Sequence, residues 1–478
     1  MVFQSPPTLE NTIRNIFHEM WLRKLAIKTC FIKRERKIKP EVIFWVLTLV
    51  FCVHNQRTIA SLKRLYEIEA NISISDSSWY DRFTPELVEF LHQCVIHGIE
   101  ELAKEPGRKL SKKLENFKDV IIQDSTIVRL HSSLADKFPA ARSRTVAAGL
   151  KVGVMVSAVA NGPKTIALYS EKTAEIKTLR IRPWIKDRIL LVDLGFYKNQ
   201  MFARVEENGG YFVSRIKKNM DPIVVSIEEG IPKTKCEEFM GKPISECIQQ
   251  LSGKDVDAVV KIAFKRRKYK GKQKKDEMLV RLVAIYNDED EKHHKYITNI
   301  QKDVLNAKDI AKLYGTRWDI ELLFKELKSR YALDVLETKN VQIIEAFIWT
   351  SMLTLIVSRR IYSLVKNSTA NPKKMARYTQ SRWSKIFAQK AADLLTVILH
   401  RSVLHQLDQK IIYSHYDFKH LTEKYFEIGM KLNDFSIPLV KYCRCGIQRT
   451  FETTMSVYKS QALDPHVNRK RFREEWFE

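Results

Sequence analysis

The sequence predicts an α/β protein: a mixed sheet flanked by helices, interrupted by a β-rich insertion, with helical regions at both ends. Three observations carry that prediction. Short apolar runs bounded by turn residues cluster between residues 119 and 215, as strands do. The segments on either side repeat their apolar residues at helical spacing instead. With 478 residues, 45% of them hydrophobic, the chain is long enough for about three domains with cores of their own.

Taken in order, residues 1–106 read as a helical region. Asn11–Lys28, Pro40–His54, Thr58–Tyr66 and Pro85–His92 carry helical periodicity, and the last two flank a Ser/Asn-rich stretch as in a helix-turn-helix reader or a packed helical pair. Lys104-Glu-Pro-Gly-Arg-Lys109 breaks the pattern and marks a boundary. Strands follow in residues 107–218: Asp119–Leu130, then Lys151–Ala160 and Thr165–Tyr169 joined by the turn Asn161-Gly162-Pro163. Lys172–Trp184 reads as helix, Arg188–Tyr197 as a buried strand ending in an acid, and Tyr211–Arg215 as a fifth strand. Residues 219–300 read as the β-rich insertion, with Met278–Tyr286 and Lys295–Ile300 as strands and a basic run, Lys265–Lys275, suited to tracking a phosphate backbone. Residues 301–370 return to the core fold and contain the apolar helix Val341–Val365. Residues 371–478 are helical and basic, a region for dimerisation or DNA contact, ending in Asn468-Arg-Lys-Arg-Phe-Arg473.

Lys and Arg number 82 against 56 acids, a formal charge of +26. An excess on that scale points to a polyanionic partner, nucleic acid before an anionic membrane surface. The seven cysteines are odd in number and scattered, which suits a reducing compartment and no disulfide framework. Cys443-Arg-Cys445 lacks the second pair that a zinc site needs. The start of the chain lacks a signal-peptide pattern, and the apolar run Ala346–Val357 is short for a bilayer. These features together read as a cytoplasmic protein with no membrane partner.

The most definite chemistry lies in Tyr314-Gly-Thr-Arg317-Trp318-Asp-Ile-Glu321-Leu-Leu-Phe-Lys325-Glu-Leu-Lys328. Read as one helix turning about 100° per residue, it puts Tyr314, Arg317, Glu321, Lys325 and Lys328 on one stripe about 80° wide. Ile320, Leu323, Phe324 and Leu327 form a separate core-facing stripe. One carboxylate set among an arginine, two lysines and a tyrosine suits a phosphodiester: the acid can hold a hard divalent ion, and the cations can grip phosphate oxygens. Two earlier acids interrupt or end apolar strands. Asp124 sits inside Val120–Val128, where a charge is costly unless paired or bound to a metal, and Asp193 closes Ile189–Val192.

The spacing Tyr314-x2-Arg317-x3-Glu321-x6-Lys328 resembles the signature of DDE transposases of the insertion-sequence-four type, without a gap. Asp193-Leu-Gly-Phe-Tyr197 resembles the family's second motif, and the likeness extends over residues 115–335. The resemblance implies a ribonuclease-H-like catalytic domain whose acids lie on the first strand, after the fourth strand, and on a helix beyond an inserted β domain. Those positions are Asp124, Asp193 and Glu321. Three carboxylates about 5 Å apart repel by roughly 3 kcal/mol per pair at an effective dielectric of about 20. Two divalent ions per site, Mg²⁺ or Mn²⁺, reverse that sign and serve two-metal phosphoryl transfer.

The family also implies that Tyr314, Arg317 and Lys328 hold the DNA backbone. Lys325 lies on the stripe but outside the signature, and Trp318 stacks on a base or packs. The expected function is cleavage of double-stranded DNA at element ends, then transfer of the 3′-hydroxyl to target DNA. The expected setting is a homodimeric synaptic complex on the bacterial nucleoid. The alternatives are a catalytically inactive DNA-binding derivative, or a ribonuclease-H-like nuclease without strand transfer. Members that pass through DNA hairpins place a Trp in the insertion. None occurs between Trp184 and Trp318, so Tyr296 or His293-His294 would have to serve.

Overall fold

The structure, a computed structural model, describes residues 15–34, 36–51, 58–104, 110–141, 147–230, 233–250, 253–266, 272–289, 291–334, 336, 338–368 and 380–407. The tip of the basic run (267–271), most of the breaker (105–109), residues 11–14, the C-x-C pair and the basic C-terminal segment lie outside them.

Helices α1 (Glu19–Lys28), α2 (Pro40–Val46), α3 (Ile59–Ala70), α4 (Asp76–Tyr80) and α5 (Pro85–Lys104) open the chain. Strands β1 (Asp119–Leu130), β2 (Ala148–Ser157) and β3 (Gly162–Ser170) follow, then the one-turn helix α6 (Glu175–Thr178), β4 (Arg188–Val192), α7 (Asn199–Glu207) and β5 (Tyr211–Arg215). Next come β6 (Ile223–Glu229), α8 (Lys233–Phe239), α9 (Ile244–Gln250), β7 (Val256–Lys265), β8 (Lys275–Asn287) and β9 (Lys292–Thr298). Helices α10 (Ala307–Gly315), α11 (Trp318–Arg330), α12 (Val341–Ser368) and α13 (Gln380–Leu407) complete the described chain. The described residues form two compact units, one from residues 15–104 and 324–407 and the other from residues 110–323.

The first unit is helical. Its centre is α12, where Ile344, Ala346, Ile348, Met352, Leu353 and Leu355 are fully buried. Phe347 stacks on Phe51 with ring centroids 3.8 Å apart, and Thr354 Oγ1 donates to the Thr48 carbonyl at 2.7 Å. A buried ion pair joins Arg359 to Glu326 at 2.5 Å, and Tyr331 donates to Glu326 at 3.1 Å. The α12 helix is longer than the apolar run in the sequence. Val341–Leu364, with mean hydropathy 1.6, would cross a membrane by length and composition, but 83% of its apolar window is buried in the fold.

The second unit is built on one nine-stranded mixed sheet in the order β3-β2-β1-β4-β5-β9-β8-β7-β6. β1, β2 and β3 form an antiparallel meander, with Asn161 in the left-handed region (φ 53°) at the hairpin turn. β4 and β5 run parallel to β1, so the centre of the sheet reads as continuous apolar sequence buried on both faces. This β3-β2-β1-β4-β5 half, flanked by helices, is a ribonuclease-H-like arrangement. Four strands from residues 219–300 join the same sheet through β9, which pairs antiparallel with β5. Two of them, β6 and β7, go beyond the pair read from sequence.

The segment Lys172–Trp184 is not a long helix. It holds one helical turn, α6, and a 3₁₀ turn at Pro183–Ile185, because β-branched Thr173, Ile176, Thr178 and Ile181 and the following Pro183 disfavour a longer one. The Tyr314–Lys328 segment is likewise two helices. The N–H groups of Thr316 and Arg317 reach back only three residues, to Leu313 (3.1 Å) and Tyr314 (3.0 Å), and Asp319 does the same to Thr316 (3.0 Å). Thr316 Oγ1 also takes the Leu313 carbonyl at 2.7 Å, which tightens the junction into a 3₁₀ turn.

Candidate active site

The parallel register of β1 and β4 runs Asp119↔Arg188 to Gln123↔Val192. One step further sets Asp124 beside Asp193, on neighbouring strands about 4.8 Å apart. Val120, Ile121, Leu190 and Leu191 are fully buried, so close packing on both faces holds this register and with it the meeting of the two acids. Asp193 begins a 3₁₀ turn over Leu194–Phe196, and its carbonyl accepts the Phe196 N–H at 3.0 Å while Phe196 is buried.

The Asp124 side chain is 17% exposed, and its Oδ1 accepts the Ser125 N–H at 2.7 Å. Burial pushes its carboxyl up to about 6. The Ser125 N–H and Arg317 oppose that rise, and the charges of Glu175 and Asp193 add to it. The dominant contribution is desolvation: this acid is held where its charge is unwelcome without a cation.

Arg317 supplies that cation in the protein's own sequence. Its side chain is 13% exposed and lies 3.6 Å from Asp124 Oδ2, while Nη2 donates to Glu321 Oε1 at 2.5 Å. Glu321 sits in the first turn of α11 with its side chain 32% exposed. One guanidinium therefore links the strand acid to the helix acid. Asp193 also faces Arg317 electrostatically, so all three acids of the sequence reading act on one charge. Among the described residues, no three His, Cys, Asp or Glu side chains converge closely enough to hold a metal ion. The three acids of the sequence reading offer carboxylate oxygens alone, the donor type of hard Mg²⁺ or Mn²⁺, and in this arrangement the Arg317 guanidinium lies among them.

The tyrosine lies elsewhere than on the solvent stripe. A 3₁₀ step turns about 120° rather than about 100°, so the junction after Gly315 rotates Tyr314 away from Glu321. Tyr314 is 7% exposed. Its hydroxyl, pushed up to about 12 by burial, lies 3.4 Å from the carbonyl of Val192, the residue before Asp193. Its ring packs 5.3 Å from Tyr296 and under the Arg317 guanidinium at 5.9 Å. Trp318 starts α11 half-buried. Lys325 and Lys328 follow on the same helix, past Leu323 where the chain enters the helical unit; Lys325 is exposed and Lys328 partly so.

Two residues that the sequence reading does not single out stand beside these. Arg215 ends β5, one register step past Val192↔Ser214, and so flanks Asp193 on the other side. It is exposed, and His294 holds its Nη2 at 2.8 Å. Glu175 places its carboxylate against Gly195 and within 3.4 Å of Ser125 Oγ. Only Gly195, in the Asp-x-Gly-Phe-Tyr motif, signals Glu175 in the sequence.

An acid in the middle of β1, a second just past the end of the parallel strand β4, and a third on a helix reached through a long β segment follow the order of a DDE-type domain. Residues 115–357, just over half of the chain, match the family model described as Transposase DDE domain, and the chain belongs to that family. It is an insertion-sequence transposase of the insertion-sequence-four type. The transposase for insertion sequence element IS1151 of Clostridium perfringens is 21% identical over 388 residues, covering 74% of this chain and 80% of that protein. The transposase for IS231F of Bacillus thuringiensis subsp. israelensis is 22% identical over 398 residues, covering 73% and 79%. A putative transposase for IS186A of Escherichia coli K12 is 38% identical, but over 61 residues only, 13% of this chain and 16% of that protein. The family is one of DNA-cleaving and strand-transferring enzymes that use divalent metal ions.

Proposed function

We propose that this transposase hydrolyses a phosphodiester at each end of its element and joins the freed 3′-hydroxyl to target DNA. In the first step a water oxygen bonds to phosphorus and the 3′-oxygen leaves with a proton. In the second the element's 3′-oxygen bonds to a target phosphorus and gives up its proton, while the target's own 3′-oxygen leaves with a proton, so the target strand that is cut is the one that is joined. The observation that carries the reading is the Arg317 bridge between Asp124 and Glu321, beside a register that sets Asp193 next to Asp124.

Asp124, Asp193 and Glu321 would hold two Mg²⁺ or Mn²⁺ ions, which supply activation of the attacking oxygen and charge stabilisation of the leaving one. Arg317, Lys328 and Arg215 grip flanking phosphates, and Arg can do so bidentately. Lys325 adds positive charge, and Trp318 stacks or packs beside the DNA. Tyr314 works from below, bracing the end of β4 that presents Asp193. Catalysis falls in residues 107–218 and 301–370 and DNA-end binding in residues 1–106. Dimerisation or further DNA contact falls in residues 371–478, within a synaptic homodimer in the cytoplasm that handles nucleoid DNA.

The test is purified protein with Mg²⁺ and linear DNA bearing the element's ends, with and without a target plasmid. End cleavage followed by joined product supports the reading. Cleavage without joining would favour a nuclease, and binding without cleavage an inactive derivative.

A further inference from the structure

Between β3 and β4 the chain passes β2 and β1 as a strap, residues 172–186, whose only regular pieces are the one-turn helix α6 and the 3₁₀ turn at Pro183–Ile185. Its apolar residues go inward: Leu179 and Ile185 are buried, and Ile176, Ile181 and Trp184 pack against the same core. Its cations go outward: Lys172, Lys177, Arg180, Arg182 and Lys186 are all exposed. The backbone is extended at Leu179 and Arg182, and across Leu179, Arg180, Ile181 and Arg182 side chains alternate in and out as on a strand.

The strap is tied down along its length. Buried Lys151 of β2 donates to the Thr173 carbonyl at 2.5 Å, and Thr178 Oγ1 to the Glu175 carbonyl at 2.7 Å. Trp184 Nε1 donates to the Arg180 carbonyl at 3.0 Å, and Arg188 Nη1 to the Trp184 carbonyl at 2.6 Å. The backbone thus presents the five cations at set positions, and none of them has a side-chain partner among the described residues. Other cations of the same unit meet acids: Lys113 pairs with Asp309 at 2.8 Å, Lys118 with Asp187 at 2.7 Å and Arg129 with Glu171 at 2.6 Å. The one acid of the strap, Glu175, faces Ser125 and Gly195 instead of these cations. Five unmatched cations on a fixed outer edge make a local positive field that suits a polyanion.

We propose that this strap grips the phosphate backbone of target DNA, the duplex that receives the cut element. The proposal rests on the strand-transfer reading above. Two features favour the target over the element ends. The strap has no Asn, Gln or Ser and no helix longer than one turn to enter a major groove, so its cations suit phosphates and not base edges. A grip blind to sequence fits a duplex whose sequence is not fixed. The strap also starts at the site: Glu175 lies against Gly195, two residues past Asp193, so a duplex held along the strap begins beside the turn that carries that acid.

The test compares the full-length wild type with Arg180→Gln/Arg182→Gln/Lys186→Gln and with the charge-keeping Arg180→Lys/Arg182→Lys. Binding to a plain duplex without element ends is followed against salt, and end cleavage and joining to a target plasmid are measured beside it. The triple variant should lose about two to three units of salt slope on the plain duplex, close to one per phosphate contact. Joining should fall about tenfold while end cleavage stays within about twofold, because only the target's phosphates lose partners. Its Tm should match wild type, since the three side chains are exposed and unpaired. The charge-keeping variant should bind and join as wild type does. An unchanged slope in the triple variant would make the strap a solvated surface and overturn the proposal. Cleavage and joining that fall together would assign the strap to the element ends and overturn it as well, as would a slope lost in the charge-keeping variant. A wild type that cleaves without joining removes the strand-transfer reading instead, and the plain-duplex slopes still decide whether the strap grips DNA.

Discussion

The strand side of the site and its helix side are held by different physics. Asp124 lies in the middle of β1 and Asp193 just past the end of β4, and five paired positions, three of them apolar on both strands, set their register. Because these positions are buried on both faces, a slipped register would mismatch close-packed side chains of different shape, so the two acids are fixed as firmly as the core. Glu321 hangs instead from a helix that begins at a 3₁₀ junction, and its partner is a side chain, Arg317, on that same junction. The junction's backbone bonds are local, each reaching back three residues. The strand acids are set by pairing between distant segments, and the helix acid by local helix geometry and one ion pair.

The most severe way to break the contrast is chemical. Asp124→Asn, Asp193→Asn and Glu321→Gln should each lower end cleavage by at least about 10³-fold, a scale set by losing transition-state charge stabilisation. DNA binding, followed by gel shift, should stay within about threefold of wild type, since phosphate contacts carry most affinity. Cleavage at the wild-type rate by any one of them would falsify the role given to that acid.

Next in size is the support beneath the helix side. Arg281 and Asp257 form a buried pair at 2.6 Å, and Arg281 Nη1 also takes the Leu305 carbonyl at 2.6 Å, just ahead of α10. Arg281→Met strands a buried carboxylate and should cost about 3–5 kcal/mol, whereas Asp257→Leu/Arg281→Met should recover much of it. Denaturant melts of the two variants compare directly.

The strand side answers to pH. With Asp124 raised to about 6 from 3.8, the folded chain binds an extra proton between those values, so this group's contribution to stability falls as pH rises through about 4–6. Above that window its charge costs roughly 3 kcal/mol. Asp124→Asn should therefore raise the Tm in EDTA at pH 7.5 and change it little at pH 3.5. A lower Tm at pH 7.5 would show that the Arg317 contact outweighs desolvation. Smallest of all, Lys328→Ala should lower the salt slope of DNA binding by about one unit, and an unchanged slope would remove it from the phosphate contacts.

Much of this was readable from residues. β1 and β5 match their sequence limits because their apolar runs end at clear turn residues. Asp124 stood out as a charge inside such a run. Strand pairing was not readable, since register is a property of two segments, and so the Asp124–Asp193 adjacency needed coordinates. Tyr314 shows how one local assumption propagates. A continuous helix puts it on the DNA stripe, whereas the turn at Thr316, hinted at only by Gly315, buries it. Glu175 stayed hidden because its partner is a glycine, which leaves no chemical complement to look for.

The nine-stranded continuity has a practical outcome. Because β9 completes the hydrogen bonding of β5, excising residues 219–300 would leave β5 as a bare sheet edge, its unpaired amides open to any passing strand. A minimal catalytic fragment made by that excision would be prone to precipitate, however intact its acids. The β segment therefore covers an edge that the core fold would otherwise leave open.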